Sequence, residues 1–496
     1  MLFRSVSHRL QRMALNAAPT LKSCRTLTLT GANEPMDETL FPYQVVGAQF
    51  LASKEHALLA DEMGLGKSAQ AVVACDQLNA QAILIICPAN LRVNWSREFT
   101  RFSNQTRPVN LLLTKADRPL PHAVNVVSYD LVAINDDLKK ALIKLNWDVL
   151  ILDEAHYLKE RTAKRTKAIY GFRQWPGIQS SAERVWRLTG TPMPNNASEL
   201  YTHLKSADLE HRNYWDYVFE FCDGFDSGYG YNITGTKNVP KLKRLLGQMM
   251  LRRKKEEVMQ ELPPIRFQEI TVPRSKVDLD PWFLENWYPL PGKQGQFVRE
   301  LEEMDKSLKQ TILTVKKGAQ TRYKDQVAVL ESYATATSTL RRYIGLAKMP
   351  SVLAILEEEL KEKTIDKLVI FAVHSQVIEQ ARHHLRKFGV VTLYGGTPTK
   401  KRQDNIDLFQ HDPATRVFIG NIQAAGTGIT LTAAKEVAFL EQSWVPAEND
   451  QAAMRCHRLG QMRPVRVRFF CCEGSVDEEV SRILIKKTRD IAIVLD

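Results

Sequence analysis

A glycine-containing loop near the amino terminus places the strongest constraint on the fold. Residues 57–68 read ALLADEMGLGKS, a short apolar run followed by two glycines and then Lys67 and Ser68. A helical pattern follows, and helix N-termini after glycine loops offer backbone N–H groups to phosphate oxygens. We expect Lys67 to reach the β and γ phosphates and Ser68 to hold Mg²⁺. Asp61 stands where the general pattern has glycine, so that pattern is met only in part.

An acidic pair follows about 85 residues later, after a second apolar run. The run Val149–Leu152 suits a buried parallel strand, and the sequence DEAH at 153–156 comes directly after it. Carboxylates at a strand end suit the hydrolysis of a nucleoside triphosphate. We expect Asp153 to hold Mg²⁺ through water and Glu154 to polarise the attacking water. The loop and the pair together predict ATP hydrolysis.

The net positive charge of the chain favours a polyanionic partner. The chain has 496 residues, enough for about two to four domains, and 68 Lys and Arg against 56 Asp and Glu give a net charge of +12. Basic charge also serves solubility, so nucleic acid is an expectation here. Residues 1–35 contain five basic residues and one acid. They suit a mitochondrial targeting segment, a disordered basic tail or an extension before a start at Met36.

The lengths of the apolar runs and the spacing of the cysteines argue against a membrane-spanning protein and against a structural zinc site. No apolar run approaches the ~18 residues that suggest a membrane span, so we expect no membrane partner. The seven cysteines are scattered without a metal-binding spacing. We therefore expect reduced thiols, no structural zinc and an intracellular location in association with DNA, with mitochondrial import as the alternative.

Several segments of the first half together resemble superfamily-two ATPases of the Swi/Snf type. They are, in chain order, DEMGLGKS (61–68), ICPANLRVNWSREF (86–99), SY (128–129), DEAH (153–156) and LTGTP (188–192). The resemblance implies a RecA-like ATP-binding lobe over residues 36–204. It places ATP on Asp61, Glu62, Met63, Gly64, Leu65, Gly66, Lys67 and Ser68.

The same resemblance suggests further binding residues. Residues 40–51 (LFPYQVVGAQFL) look like the family's Q motif, which would place Gln44 on the adenine edge. Motif position makes Asn90, Ser128 and Thr397 candidates for contacts with the DNA backbone. Each of these three could equally cap a loop.

The second half is similar to the family's second motor lobe. Residues 451–461 read QAAMRCHRLGQ, in which Arg455 and Arg458 would lie on one face of a helix. They match the family's arginine motif and would reach the γ phosphate across a cleft. Residues 421–432 (NIQAAGTGITLT) look like motif five and would place Gly428 at ATP. Alternating strands and helices predict a second parallel α/β lobe over 348–496.

Helical insertions are expected between the two RecA-like parallel-sheet lobes. Residues 205–272 resemble the helical protrusion and linker of the annealing-helicase branch of this family, and residues 273–347 read as a further helical insertion. An apolar stripe in that insertion favours the core of a helical hairpin. The alternative is that its basic face contacts duplex DNA or a partner.

The resemblance implies a DNA-dependent ATPase that moves along duplex, forked or branched DNA and anneals or remodels it. This activity would serve DNA repair, replication or recombination, with ATP and Mg²⁺ as cofactors, and we expect a monomer. One rival is a remodeller of chromatin or transcription complexes. The other is a non-enzymatic DNA-binding protein, which the presence of every expected catalytic residue disfavours.

Overall fold

The computed structural model describes residues 40–172, 175–226, 231–259, 262–275, 299, 301–309, 334–425, 429–458 and 460–495. The basic segment 1–35 and Gly428 lie outside these residues. Within the described ranges, no helix combines the length and the apolar character needed to cross a membrane.

The first half alternates strands and helices, as its sequence predicts. Its strands are β1 (His56–Leu59), β2 (Ile83–Cys87), β3 (Val109–Leu111), β4 (Val124–Ser128), β5 (Trp147–Asp153), β6 (Ala182–Leu188), β7 (Cys222–Asp226), β8 (Tyr231–Thr236), β9 (Met250–Leu251) and β10 (Ile265–Val272). Its helices are α1 (Pro42–Ala52), α2 (Lys67–Gln77), α3 (Arg92–Phe102), α4 (Tyr129–Ile134), α5 (Asp136–Lys144), α6 (Lys164–Tyr170), α7 (Tyr201–Ser206), α8 (Tyr214–Phe221), α9 (Val239–Leu246) and α10 (Lys255–Val258).

Seven of these strands form one parallel sheet in the order β3-β4-β2-β5-β6-β1-β9. Every residue of β2 and of β4 is buried. Strands buried along their whole length are typical of parallel sheets covered on both faces by helices. Because parallel strands end at the same edge, the residues after β1, β5, β6 and β9 meet there.

The second half repeats this plan. Its strands are β11 (Leu368–Ala372), β12 (Val390–Leu393), β13 (Val417–Asn421), β14 (Glu436–Phe439) and β15 (Val465–Cys472). Its helices are α11 (Ala334–Lys361), α12 (Ser375–Leu385), α13 (Thr399–His411), α14 (Ile422–Ala425), α15 (Pro446–Ala453) and α16 (Val476–Leu495). The predicted architecture of two parallel-sheet lobes with helical insertions is confirmed.

The second sheet takes one strand from the segment that links the lobes. Its order is β10-β15-β14-β11-β13-β12, all parallel. β10 pairs along its whole length with β15. The chain thus enters the second lobe at Ile265, before the helical insertion, whereas the sequence assigned residues 265–272 to the protrusion and linker. Of its residues only Val272 is buried, as suits an edge strand, and the segment carries no motif.

A protrusion is inserted in the first lobe between β6 and β9, and the expected helical insertion follows β10 of the second sheet. The protrusion consists of α8, the antiparallel pair β7 and β8, and α9. In the insertion, residues 301–309 are helical. Leu301 and Leu308 are buried as the apolar stripe predicts, whereas Met304 of the same stripe is 36 % exposed. α11 runs unbroken through the expected boundary at 347/348. Its buried side chains pack in the core of the second lobe, so this helix belongs to that lobe.

The carboxyl-terminal helix returns to the first half of the chain. Val494, at the end of α16, is 1 % exposed and belongs to a buried cluster with Tyr217, Leu242 and Leu246 of the protrusion. Apolar burial in this cluster therefore ties the second lobe to the protrusion of the first.

Substitutions at two adjacent residues of α16 test this packing of the helix against the protrusion. Val494→Ala should reduce the free energy of unfolding by about 1.5 to 3 kcal/mol, because it removes buried methyl groups and leaves a cavity. Ile493→Ala is the matched control, since Ile493 is 59 % exposed. Urea unfolding followed by circular dichroism measures both. Equal midpoints for the two variants would contradict the packing described.

Candidate active site

The glycine-containing loop of residues 60–66, called the phosphate loop below, joins β1 to the N-terminus of α2. Gly64 and Gly66 adopt φ of +88° and +72°, a region that strongly favours glycine. A Cβ on Gly66 would lie 2.3 Å from Nε2 of Gln44, so the loop also needs glycine for close packing. Lys67 begins α2 and donates from Nζ to the main-chain oxygens of Asp61 at 2.8 Å and Glu62 at 3.3 Å. Its ammonium therefore lies within the loop.

Gln44 packs against this loop from α1. Its side chain is buried, and Nε2 donates to the main-chain oxygen of Leu65 at 3.3 Å. Its Oε1 accepts a hydrogen bond from the N–H of Phe41 at 3.0 Å. The structure brings Gln44 to the nucleotide loop, and its predicted contact with adenine stays a prediction.

Asp61 is held by an arginine from after β9. The carboxylate is fully buried and accepts from Arg253 Nη2 at 2.5 Å and Nε at 3.0 Å. Gln70 Nε2 also donates to it at 3.2 Å. Both carboxylate oxygens thus have protein donors, and this ion pair anchors the start of the loop. Arg253 was not among the predicted site residues.

The other loop residues divide between core and cleft. Leu65 is fully buried and Met63 is nearly so, whereas Ser68 is partly exposed as the second residue of α2. A Cβ on Gly190 would lie 2.6 Å from Cγ of Met63, so LTGTP packs on the loop. Glu62 accepts a hydrogen bond from the N–H of Lys255 at 2.8 Å.

Asp153 ends β5 inside a network of buried donors. Trp95 Nε1 donates to Asp153 Oδ2 at 2.8 Å, and the N–H of Glu154 donates to Oδ1 at 2.9 Å. Burial and the adjacent Glu154 raise the pKa of Asp153 to about 7, against the opposing effects of Trp95 and Lys67. Because the ionised form of this carboxylate is unfavourable in its present surroundings, a cation bound beside it would stabilise that form. Trp95 was not predicted from the sequence.

Glu154 combines backbone strain with an ionised side chain. Its φ of +50° lies in the left-handed region, which is costly for a residue with a Cβ and is typical of functional sites. Burial raises its pKa, but His156, whose Nδ1 is 3.3 Å from Oε2, together with nearby cations, lowers the pKa to about 2. His156 Nδ1 also lies 3.2 Å from Oγ1 of Thr189 in the LTGTP segment.

The second lobe contacts this centre directly. Gln451 Nε2 donates to Glu154 Oε1 at 3.2 Å across the cleft. A Cβ on Gly64 would lie 3.4 Å from Cγ of Arg458, so that arginine lies on the phosphate loop. Arg455 and Arg458 follow α15 in turns, not in a helix. The sequence motif contained Gln451 without assigning it a role.

Of the two arginines, Arg455 is buried and Arg458 is half-buried. Burial lowers the pKa of both guanidinium groups, while Glu154 opposes the shift. Among the described residues, Nε of Arg458 is buried without a hydrogen-bond partner. Such groups favour an added anion, and a triphosphate in the loop would supply one.

A cavity of about 760 Å³ lies beside the loop, between the lobes. Its wall includes Met193 of the first lobe, Met259 of the linker, Phe267 of β10 and Leu495 of α16, together with the linker cations Arg252, Lys254 and Lys255. Most of this wall is apolar, whereas the phosphate loop offers backbone N–H groups at a helix N-terminus together with Lys67, which suits a triphosphate better. The nucleotide site predicted from the sequence is the neighbouring loop.

The three candidate DNA contacts differ in exposure. Asn90 is exposed in a 3₁₀ turn after β2. Ser128 is 3 % exposed, and its hydroxyl accepts from the N–H of Leu131 at 3.3 Å as the N-cap of α4. The hydroxyl of Thr397 accepts from the N–H of Tyr394 at 3.2 Å. Ser128 and Thr397 thus have the capping contacts that were the alternative to a role in DNA binding.

Comparisons with known proteins agree on one family of relatives. The chain is 29 % identical over 464 residues to the DNA annealing helicase and endonuclease ZRANB3 of Mus musculus, covering 91 % of this chain and 40 % of the relative. It is 30 % identical over 461 residues to the SWI/SNF-related matrix-associated actin-dependent regulator of chromatin subfamily A-like protein 1 homolog of Caenorhabditis elegans, covering 91 % and 61 %. The chain thus spans about two fifths to three fifths of the length of these relatives.

A solved structure and two family matches complete the comparison. The Sulfolobus solfataricus SWI2/SNF2 ATPase core in complex with dsDNA is 22 % identical, with a TM-score of 0.41 over 92 % of this chain and 95 % of that one. The helicase conserved C-terminal domain matches residues 351–460. The SNF2-related domain matches residues 43–336, more than half of the chain. The chain belongs to the SNF2-related domain family.

Proposed function

We propose that this protein is a DNA-stimulated ATPase that translocates on duplex or branched DNA and anneals or remodels it. The single observation that carries the ATPase proposal is the contact of Gln451 and Arg458 with Glu154 and the phosphate loop. This contact brings the phosphate loop, the ionised carboxylate of Glu154 and the guanidinium groups of the second lobe into one cleft. Phosphoryl transfer needs such a combination, because its catalysis consists of positioning and charge stabilisation.

Each residue of the cleft has a role in this proposal. The loop N–H groups and Lys67 bind the triphosphate. Glu154 accepts a hydrogen bond from the attacking water and orients it, for which its low pKa keeps it ionised near neutral pH. Arg455 and Arg458 stabilise the charge that develops on the transferred phosphoryl group.

Mg²⁺ fits the residues present. Asp153 is a half-buried carboxylate whose pKa is raised to about 7, and Ser68 is the second residue of the helix after the loop. We infer that these two side chains would hold the ion, with Asp153 acting through water. When bound, Mg²⁺ would neutralise phosphate charge. Trp95 would keep the Asp153 carboxylate oriented toward it, through the hydrogen bond from Nε1.

DNA as the polyanionic partner is supported by charge and by the relatives. The net charge of the chain is +12, which favours DNA-backbone contacts without base reading. One relative is named a DNA annealing helicase and endonuclease, and another a regulator of chromatin. We infer annealing and fork remodelling by a monomer in DNA repair, replication or recombination, in an intracellular, DNA-associated location.

Substitution of Glu154 tests the ATPase role. Glu154→Gln should lower the DNA-stimulated rate of ATP hydrolysis by at least ~100-fold, because the amide orients water poorly, while ATP binding is retained. Phosphate release and fluorescent-nucleotide binding measure the two effects. The matched control is Glu160→Gln, an exposed glutamate on the same segment, which should keep the wild-type rate. Wild-type turnover by Glu154→Gln would refute the assigned role.

The choice of DNA substrate tests the rest of the proposal. Forked and four-way DNA should stimulate hydrolysis several-fold more than single-stranded DNA, and ATP should drive rewinding of a separated duplex. Malachite-green ATPase assays and strand-annealing gels measure both. Stronger stimulation by nucleosomes than by forked DNA would instead favour a chromatin remodeller. Strand separation from a blunt duplex would favour a conventional helicase.

A further inference from the structure

A buried lysine of the linker lies over the phosphate loop. Lys255 begins α10, is 4 % exposed, and donates its N–H to Oε2 of Glu62 at 2.8 Å. A Cβ on Gly64 would lie 3.4 Å from Cε and 3.6 Å from Nζ of Lys255. The main chain of this lysine is thus fixed to the loop, and its side chain runs along it.

The ammonium group of Lys255 reaches the second lobe. Nζ donates to the main-chain oxygen of His457 at 2.7 Å and lies 3.3 Å from Sδ of Met454. That carbonyl stands between Arg455 and Arg458. One side chain therefore joins the phosphate loop to the segment that carries both arginines.

The linker makes a second contact with the same segment. His457 Nε2 lies within 2.7 Å of the main-chain oxygen of Pro263. Arg252 Nη1 donates to the main-chain oxygen of Ala60 at 3.1 Å, at the start of the loop. The linker is thus bonded to the first lobe on one side and to the arginine segment on the other.

The surroundings of the ammonium are unfavourable to a positive charge. The charged and titratable groups that face it are Glu62, Lys67, Arg455, His457 and Arg458. Burial and the three other cations lower the pKa of Lys255 to about 7, with only Glu62 opposing. A methionine would fill the same space without this cost, so packing alone does not account for a lysine.

We propose that Lys255 is a positioning residue, which fixes the segment 455–458 against the phosphate loop by holding the carbonyl of His457. This inference rests on the proposed ATPase function. Lys255 acts through the arginines, whose contribution is greatest when charge develops on the phosphoryl group. Its loss should therefore affect turnover more than ATP binding.

The test replaces Lys255 by methionine in the full chain. Lys255→Met should lower kcat for DNA-stimulated ATP hydrolysis by ~10- to 100-fold and change KM for ATP by less than about threefold. Lys54→Met is the control, because Lys54 Nζ also donates to a main-chain oxygen, that of Gln248 at 3.1 Å, but at an exposed position. It should keep the wild-type kcat. A wild-type kcat in Lys255→Met would overturn the inference.

A double variant tests whether Lys255 acts through the arginines. Adding Lys255→Met to a variant that already carries Arg455→Ala and Arg458→Ala should lower kcat no further, since residues that act as a unit are not additive. Losses that multiply would mean that Lys255 acts independently, which contradicts the proposal.

The pH profile separates charge from packing. Lys255 loses its charge, though not its N–H donors, as the pH rises through its pKa of about 7, so its hydrogen bond to His457 should weaken. The kcat of the wild type should therefore decline relative to that of Lys255→Arg, because Asp153, whose pKa is also about 7, is present in both proteins. Lys255→Arg stays charged and should lack this decline. The same decline in both proteins would exclude Lys255 as its source and overturn the inference.

A structural measurement keeps the two proposals distinct. Hydrogen exchange of the backbone amides in 452–458 should be at least ~10-fold faster in Lys255→Met than in Lys54→Met, because the segment has lost its fixed carbonyl. Unchanged exchange would overturn the positioning role whatever the activity. A wild-type protein without DNA-stimulated hydrolysis would instead overturn the proposed function.

Discussion

Charges in a dry cleft have to be balanced by other charges or by hydrogen bonds, and the whole site follows from that requirement. The carboxylate of Asp61 is fully buried and takes both of its close donors from Arg253. Glu154 stays ionised through His156 and the nearby cations. Asp153 has a hydrogen bond from Trp95, none of the described residues places a cation in contact with it, and its pKa is raised to about 7. The cleft thus leaves one carboxylate suited to Mg²⁺ and two guanidinium groups suited to phosphate.

The geometry also divides the site between two lobes. Parallel strands bring the loop after β1, the carboxylates after β5 and Arg253 after β9 to one edge of the first sheet. The arginines come from turns of the second lobe. Because each half lacks groups that the other supplies, any change in the relation between the lobes alters the charge around the phosphate loop. Such an arrangement suits a motor, in which nucleotide state and lobe position have to be coupled.

Local sequence patterns predicted much of the site, because they encode local structure. The glycine loop before α2 and the acidic pair at the end of β5 were both found where a strand-and-loop pattern places them. The two arginines came from a motif, which did not reveal that they lie in turns. The roles of Trp95, Arg253 and Gln451 were not predicted from the sequence, because their hydrogen-bond partners are 58, 192 and 297 residues away along the chain. Contacts at such separations depend on the register of two sheets, which one sequence does not display.

The short linker has a consequence for how the cleft assembles. Only residues 252–264 separate β9 of the first sheet from β10 of the second. Even fully extended, this segment spans no more than roughly 45 to 50 Å. The arginine segment is therefore held near the phosphate loop at an effective concentration on the order of millimolar. Cleft formation becomes a unimolecular event, independent of protein concentration, and a second molecule that offered its arginines in trans would compete poorly at any ordinary cellular concentration.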